Sequence, residues 1–356
     1  MMPPATIFDP IAAAKETLAL SRKLVKAYET LSRLGNIEVG ATPKEPVFEC
    51  DKIKLYHYRQ EHRITCKVPV LLAYALVNRP YMLDLQPDRS FVRHLLQQGL
   101  DLYVIDWGYP TKADKYLSMD DYLNIYLNDC VDFIRQATEH DQVNLMGICQ
   151  GGSFSVIYTA LYPEKIKNLV TMVTPVDFST NDGLLFRWSK SMNVDALVDA
   201  YGVIPGDFLN AGYMMLRPFM KIGKYLDILE ALGDRDKIEN FLRMEQWMMD
   251  TPAQAGKCYR QFIKDLYQQN KLVKGGMVIG EKRVDIKKIT MPLLNVYAGD
   301  DHIVPPGATT PLNDIVGSAD KQLYAFKGGH IGVFVSSKSQ KELAPAVAKW
   351  LHERAN

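Results

Sequence analysis

The five cysteines of this 356-residue chain include no CxxC pair and show no framework spacing, which argues against a structural metal knuckle and a disulfide scaffold. An odd cysteine count without such spacing fits a reducing compartment, where a reactive thiol survives. No run of like charge appears. Lys and Arg number 42 against 41 Asp and Glu, for a net charge of +1, so nucleic acid is set aside as the principal partner. No stretch approaches the roughly twenty apolar residues of a membrane span. Met1 to Pro10 lacks the charged start and apolar core of a secretory signal. His57, His62, His94, His140 and His352 have no neighbour at metal-ligand spacing, so no metal is expected. What is left is an ordinary globular composition, 47% hydrophobic and 23% charged, expected to be soluble and cytoplasmic. The length suits one large domain with an insertion, or two domains.

Against this bland background one motif stands out, Gly147-Ile148-Cys149-Gln150-Gly151. The apolar run Val143-Asn144-Leu145-Met146 before it reads as a buried strand. Gly152 through Leu161 after it reads as a helix stopped by Pro163. Strand, sharp turn and helix are the context of a nucleophile elbow, here with cysteine in place of serine. The turn forces the nucleophile into a strained backbone, and side chains on its neighbours would collide with strand or helix. The sulfur lies at a helix N-terminus, where dipole and free amides favour negative charge. Cys130, on an amphipathic segment Tyr122–Ile134 without glycine neighbours, reads as a core residue, and Cys50, Cys66 and Cys258 are isolated.

A cysteine nucleophile needs a base, and the base an orienting partner. The apolar strand Pro292–Ala298 runs into Gly299-Asp300-Asp301-His302, and the strand Gln322–Phe326 ends in Gly328-Gly329-His330-Ile331-Gly332. Acid and histidine just past strand ends fall on the carboxyl edge of a parallel sheet, where the elbow also points. Nucleophile, acid, histidine is the chain order of the α/β hydrolases. Asp300 and Asp301 both remain candidates for the acid. Asp301 is favoured, because it sits deeper in the loop stiffened by Pro305-Pro306. His330 is favoured over His302, which adjoins the acid too closely to present its ring to that carboxylate.

Residues 1–40 carry a helical pattern, Ala13, Leu18, Leu20, Leu24, Val25, Tyr28, Leu31 and Leu34, closed by Gly35. Packing on its own domain or docking on a partner would both use such a face. From about Val47 strands Lys54–Tyr58, Val68–Tyr74 and Leu102–Ile105 alternate with helices at Arg93–Gln98 and 120–139, and Leu169–Val173 continues the sheet. This predicts a doubly wound, mainly parallel α/β-hydrolase sheet built from residues 41–175 and 290–356. Residues 176–289 break the alternation with apolar helices (196–200, 213–220, 225–232, 241–249, 259–268) and a short β return at Met277–Ile279. This reads as a helical cap rich in methionine: Met214, Met215, Met220, Met244, Met248 and Met249. The oxyanion hole is expected from the backbone amides of Gln150, after the nucleophile, and Val77, in the loop after the Val68–Tyr74 strand.

The elbow Gly147–Gly152, Asp301-His302-Ile303-Val304-Pro305-Pro306 and Gly328–Gly332 together resemble the polyhydroxyalkanoate synthases. So do Tyr74–Leu85 (YALVNRPYMLDL), Asp106-Trp107-Gly108 and Thr174-Pro175-Val176-Asp177-Phe178. The resemblance runs from about residue 15 to the end, and the length looks like the catalytic subunit of the two-subunit class III enzymes. It implies Cys149 as acylated nucleophile, His330 as base and Asp301 as third member. The implied reaction polymerises (R)-3-hydroxybutyryl-coenzyme A to polyester with release of coenzyme A, at the surface of polyester granules. It implies no cofactor beyond the coenzyme A of the substrate, a second, non-catalytic subunit as partner, and a homodimer or hetero-oligomer. Two rival classes are a cysteine-type hydrolase of the dienelactone-hydrolase or thioesterase kind and a non-enzymatic granule-binding protein. A long apolar cap argues against the first and the intact triad against the second.

Overall fold

In the computed structural model residues 37–216 and 234–355 are described, together with Lys15 and Leu18. Eight strands form one sheet: β1 Lys44–Cys50, β2 Ile53–Tyr58, β3 Val70–Ala73, β4 Leu102–Asp106, β5 Val143–Ile148, β6 Ile166–Met172, β7 Leu293–Ala298 and β8 Lys321–Phe326. Their spatial order is β1-β2-β4-β3-β5-β6-β7-β8. β1, β2 and β4 pair antiparallel, and every pairing from β4 onward is parallel. This is the expected mainly parallel, doubly wound α/β-hydrolase sheet. The central strands VLLA (β3) and VNLMGI (β5) are buried at every position, as strands covered on both faces must be. β8 is an edge strand, largely exposed and opening with Lys321.

The helices used below are α1 Phe91–Gln97, α2 Asn128–Ala137, α3 Gln150–Leu161, α4 Leu184–Ser191, α5 Val194–Tyr201, α6 Gly206–Leu216, α7 Arg235–Met249 and α8 Gly256–Gln261. α1 begins two residues before the expected Arg93, because the Ser90 hydroxyl caps it and accepts from the Arg93 N–H at 2.9 Å. A π-helical stretch, Asp121–Leu127, leads into α2, and another, Phe262–Gln268, follows α8.

Between β6 and β7 the described residues form helices in more pieces than the periodicity resolves. α4 was not foreseen, and α6 starts at Gly206 rather than Tyr213. Two ribbons, Val203–Ile204 with Gln254–Ala255 and Val278–Ile279 with Lys282–Arg283, have strands only two residues long, too short to show alternation. The predicted Tyr225–Leu232 helix and Met220 lie outside the described residues. So does the N-terminal amphipathic helix, apart from Lys15 and Leu18, which are helical and exposed.

The chain divides into two compact units, Val39–Leu216 with Trp247–Asn356, and Met1–Glu38 with Arg217–Gln246. In the smaller, Arg243 donates to the Glu38 carbonyl at 3.0 Å and pairs with Glu239 at 3.1 Å. The larger holds the whole sheet. Its strands are also tied by buried amides and hydroxyls: Asn168 donates to Asn144 at 2.7 Å and Thr171 to Asn295 at 2.9 Å, so these polar groups keep their partners away from water.

Candidate active site

β5 ends at Ile148 and α3 begins at Gln150, so Cys149 is the one residue of the turn. It holds φ 54° and ψ −123°, a conformation costing a non-glycine residue about 1–3 kcal/mol. Its backbone is pinned at both ends. The N–H donates to the Met172 carbonyl at 2.9 Å, and the carbonyl accepts from Gly152 and Ser153 at 2.9 and 3.2 Å. Crowding explains the glycines. A Cβ on Gly151 would lie 2.2 Å from the Ala73 carbonyl oxygen, and one on Gly152 would lie 1.9 Å from Thr174 Oγ1. Only bare backbone lets α3 approach β3 and β6 this closely.

Asp301 follows β7 and His330 follows β8, so both reach the carboxyl edge beside the elbow. His330 Nδ1 lies 2.6 Å from Asp301 Oδ2. The other carboxylate oxygen, Oδ1, accepts from the Ile303 and Val304 N–H groups at 2.9 and 2.8 Å. The Asp301 side chain has no exposed surface. Asp300, the competing acid, is exposed, and its N–H donates to the Gly328 carbonyl at 2.9 Å. Burial by itself disfavours an imidazolium at His330. The negative charges of Asp301 and Cys149, each also hydrogen-bonded to the ring, outweigh it and raise the group from 6.5 to about 10.

Burial pushes the Cys66 thiol up to about 11 and raises Cys130 and Cys258 further, which keeps them inert. Among the remaining histidines, His57 has a partner that the sequence did not reveal. Its Nε2 lies 2.6 Å from Asp101 Oδ1, and its ring stacks on Tyr103 at 4.2 Å. This pair joins β2 to the start of β4, at the sheet edge opposite the elbow. Among the described residues no cluster of His, Cys, Asp or Glu is arranged to hold a metal.

Cys149, Gln150 and Val77 line one wall of a cavity of about 300 Å³. α4, α6 and the segment from Tyr259 to Tyr267 supply most of the rest, through Leu185, Trp188, Phe208, Tyr213, Phe262 and Tyr267 among others, and Ile303 and Val304 beside Asp301 complete it. Of the methionines singled out in the sequence, Met215 lines the cavity, joined by Met192, while Met214 and Met249 are exposed. Burial, then the negative charge at Cys149, raises the phenols of Tyr74 and Tyr213, and Tyr267 is raised likewise. They stay protonated and neutral around the sulfur.

The motif after β3 acquires a structural account. Gln150 Oε1 accepts from the Leu76 N–H at 3.2 Å, and Trp107 Nε1 donates to the Tyr74 carbonyl at 2.8 Å. Arg79 pairs with Asp106 and donates to the Gly108 carbonyl. Asn270 donates to Asp177 at 2.8 Å and accepts from the Phe178 N–H at 3.0 Å. Sequence reasoning did not single out Asn78, Trp247, Asp250 or Thr251: Asn78 lies inside the Tyr74–Leu85 motif and Trp247 inside the predicted 241–249 helix, and nothing in the sequence joins the two. Among the described residues no helix is long and apolar enough to cross a membrane.

Residues 68–337 match the family model of the alpha/beta hydrolase fold, and residues 9–95 match that of the poly-beta-hydroxybutyrate polymerase (PhaC) N-terminus. The poly(3-hydroxyalkanoate) polymerase subunit PhaC of Allochromatium vinosum is 51% identical over 97% of this chain and 98% of its own length. That of Synechocystis sp. is 48% identical, over 95% of this chain and 92% of its own length. Among solved structures, a lipase from Sulfolobus solfataricus (TM-score 0.54, 16% identity, covering 87% of this chain and 97% of that one) shares the fold. So does a monoglyceride lipase from Saccharomyces cerevisiae (0.52, 15%, 90% and 98%).

Proposed function

The chain belongs to the poly(3-hydroxyalkanoate) polymerase family, and we propose that it builds polyester through an acyl group carried on Cys149. It is an acyltransferase of polyhydroxyalkanoate synthesis. The substrate we assign is (R)-3-hydroxyacyl-coenzyme A, chiefly the 3-hydroxybutyryl thioester. The observation that carries the mechanism is a strained elbow cysteine beside a buried His330–Asp301 pair, opening on an apolar cavity of about 300 Å³.

The sulfur of Cys149, its proton on His330, attacks the thioester carbonyl. The carbonyl oxygen becomes an oxyanion held by the amides of Gln150 and Val77. The C–S bond to coenzyme A breaks, and the departing thiolate takes the proton from His330. One thioester replaces another, so this step is nearly balanced. Neutral His330 then takes the proton of an incoming 3-hydroxyl, whose oxygen attacks the Cys149 acyl carbon. The new ester leaves and the thiolate–imidazolium pair returns. An oxygen ester on serine would lack this activation toward a hydroxyl. Water would convert the acyl group to free acid, and the apolar lining from Leu185 to Tyr267 works against its entry.

We assign Asp301 the orienting role, because both its oxygens are already engaged. A single thiol carries the chain in this reading, since Cys130 is buried in α2 with its thiol pushed up. The chemistry uses side chains and amides, with no cofactor beyond the coenzyme A of the substrate. The helices α4 and α6 and the segment Tyr259–Tyr267 act as a cap over the cavity. Trp188, Phe208 and Met215 line the cavity and are exposed, which suits work at a polyester granule surface. The partner is a second, non-catalytic subunit of the class III kind, in a homodimer or hetero-oligomer.

Incubation with 3-hydroxybutyryl-coenzyme A, with and without that subunit, tests the function. Coenzyme A release with insoluble polymer supports it. Release with only free 3-hydroxybutyrate would make this a hydrolase.

A further inference from the structure

The Val77 amide sits between two anchored neighbours. On one side Leu76 is tied to Gln150, and so to the elbow. On the other, Asn78 is tied to the helical insertion: its Nδ2 donates to the Trp247 carbonyl at 3.2 Å and to Thr251 Oγ1 at 2.6 Å. Thr251 Oγ1 in turn donates to Asn210 of α6 at 2.7 Å. The same short segment grips this loop twice more and the loop after β4 once. Trp247 Nε1 donates to the Arg79 carbonyl at 2.9 Å, and the hydroxyls of Tyr81 and Tyr109 both donate to Asp250, at 3.0 and 2.8 Å. Asn78 has φ 60°, a left-handed conformation that Asn tolerates better than most residues. The backbone at Val77–Asn78 therefore depends on bonds made to residues 247–251, far away in sequence.

We propose that Asn78 is a positioning residue through which the segment Trp247–Thr251 sets the Val77 oxyanion donor, so that acyl transfer at Cys149 is fast only while this segment is docked. The inference rests on the polymerase reading for its substrate. Its physical content is independent of that reading: any carbonyl attacked by Cys149 develops charge at the same amides. A cap that lifts to admit substrate would loosen the oxyanion hole, and one that settles would complete it. Acyl transfer to water would then be suppressed whenever the cavity stands open.

Attack on a carbonyl needs the oxyanion hole, whereas alkylation by iodoacetamide displaces iodide from carbon and needs only the sulfur. The two reactions of one thiol separate positioning from general damage. Asn78→Gly keeps the left-handed backbone accessible and removes every side-chain bond from this position to residues 247–251, a longer one to the Met248 carbonyl at 3.5 Å included. Thr251→Val removes the shorter bond without touching the loop, and serves if the first variant fails to fold. Loss of a whole oxyanion donor costs roughly 100- to 1000-fold, so a loosened one is expected to cost about 10- to 100-fold. In single turnover, coenzyme A release from 3-hydroxybutyryl-coenzyme A should slow by that factor in Asn78→Gly and by less in Thr251→Val. KM should change little, and iodoacetamide should label Cys149 within about twofold of the wild-type rate, as expected for an interaction made only in the transition state. Wild-type acylation rates in both variants, or alkylation falling in step with acylation, would overturn the proposal. If the wild-type protein releases no coenzyme A, the polymerase reading fails. The latch is then decided by acylation with p-nitrophenyl acetate, which passes through the same oxyanion.

Discussion

Cys149 holds a backbone conformation that glycine adopts freely and cysteine does not. Replacing it by alanine removes the nucleophile and keeps the strain, and replacing it by glycine removes both. Both variants should lose about a thousandfold or more in turnover. The glycine variant should unfold later than the alanine variant, by about 1 kcal/mol or more in chemical denaturation. Equal stability of the two would mean that the elbow is not strained. The charge state of His330 makes a second prediction. Its folded value is raised, so the imidazolium, and with it the proton that the departing coenzyme A thiolate takes, is lost as pH rises toward about 10. By linkage, the proton on His330 stabilises the fold fully below about 6.5, and that contribution disappears as pH climbs through about 10. Asp301→Asn removes one of the two negative charges, so the alkaline limb of kcat/KM should move to lower pH. A limb that stays in place would show that Asp301 does not set the charge on the ring. At this scale the sequence was informative where chemistry is local. Cys149 could be picked out by its glycines, and Asp301 and His330 by the strand ends before them. The His57–Asp101 contact was not legible, because it joins two residues 44 apart with no motif on either side.

The elbow works only because three elements meet without side chains between them. Gly151 lies where α3 crosses the end of β3, against the carbonyls of Ala73 and Tyr74. Gly151→Ala should destabilise the fold by about 1–3 kcal/mol, the usual range for overpacking a tight site, and should reduce activity further than stability alone explains, because β3 carries the Val77 loop. Thermal unfolding and turnover of that variant check this, and a variant with wild-type stability would mean that the elements can separate. The main strands were readable from unbroken apolar runs and their glycine and proline boundaries. The helical stretch between β6 and β7 was readable only in outline. Its ribbons are two residues per strand, and α4, with the exposed Trp188 beside the buried Phe186, gives a weak stripe. The Asn78–Thr251 bond spans 173 residues. Polar contacts of that separation leave no period in a sequence and need the fold to bring them together.

In the whole molecule a buried His330–Asp301 pair, the elbow thiol of Cys149 and an apolar cavity lie together. We expect the isolated chain to be weakly active and a second subunit to activate it saturably, by binding the state in which substrate enters. A differential affinity of about 3 kcal/mol between the two states gives roughly a hundredfold activation. Activity of the chain alone that matches the mixture at every partner concentration would remove the partner from the account. If the growing acyl chain sits on Cys149, intact-protein mass spectrometry after brief exposure to 3-hydroxybutyryl-coenzyme A will find it there. The expected spectrum shows a protein carrying one 3-hydroxybutyryl unit and then a ladder of further units, all mapping to the peptide that contains Cys149 and all absent from Cys149→Ala. Coenzyme A release with the acyl group on any other residue, or from Cys149→Ala at the wild-type rate, would contradict it.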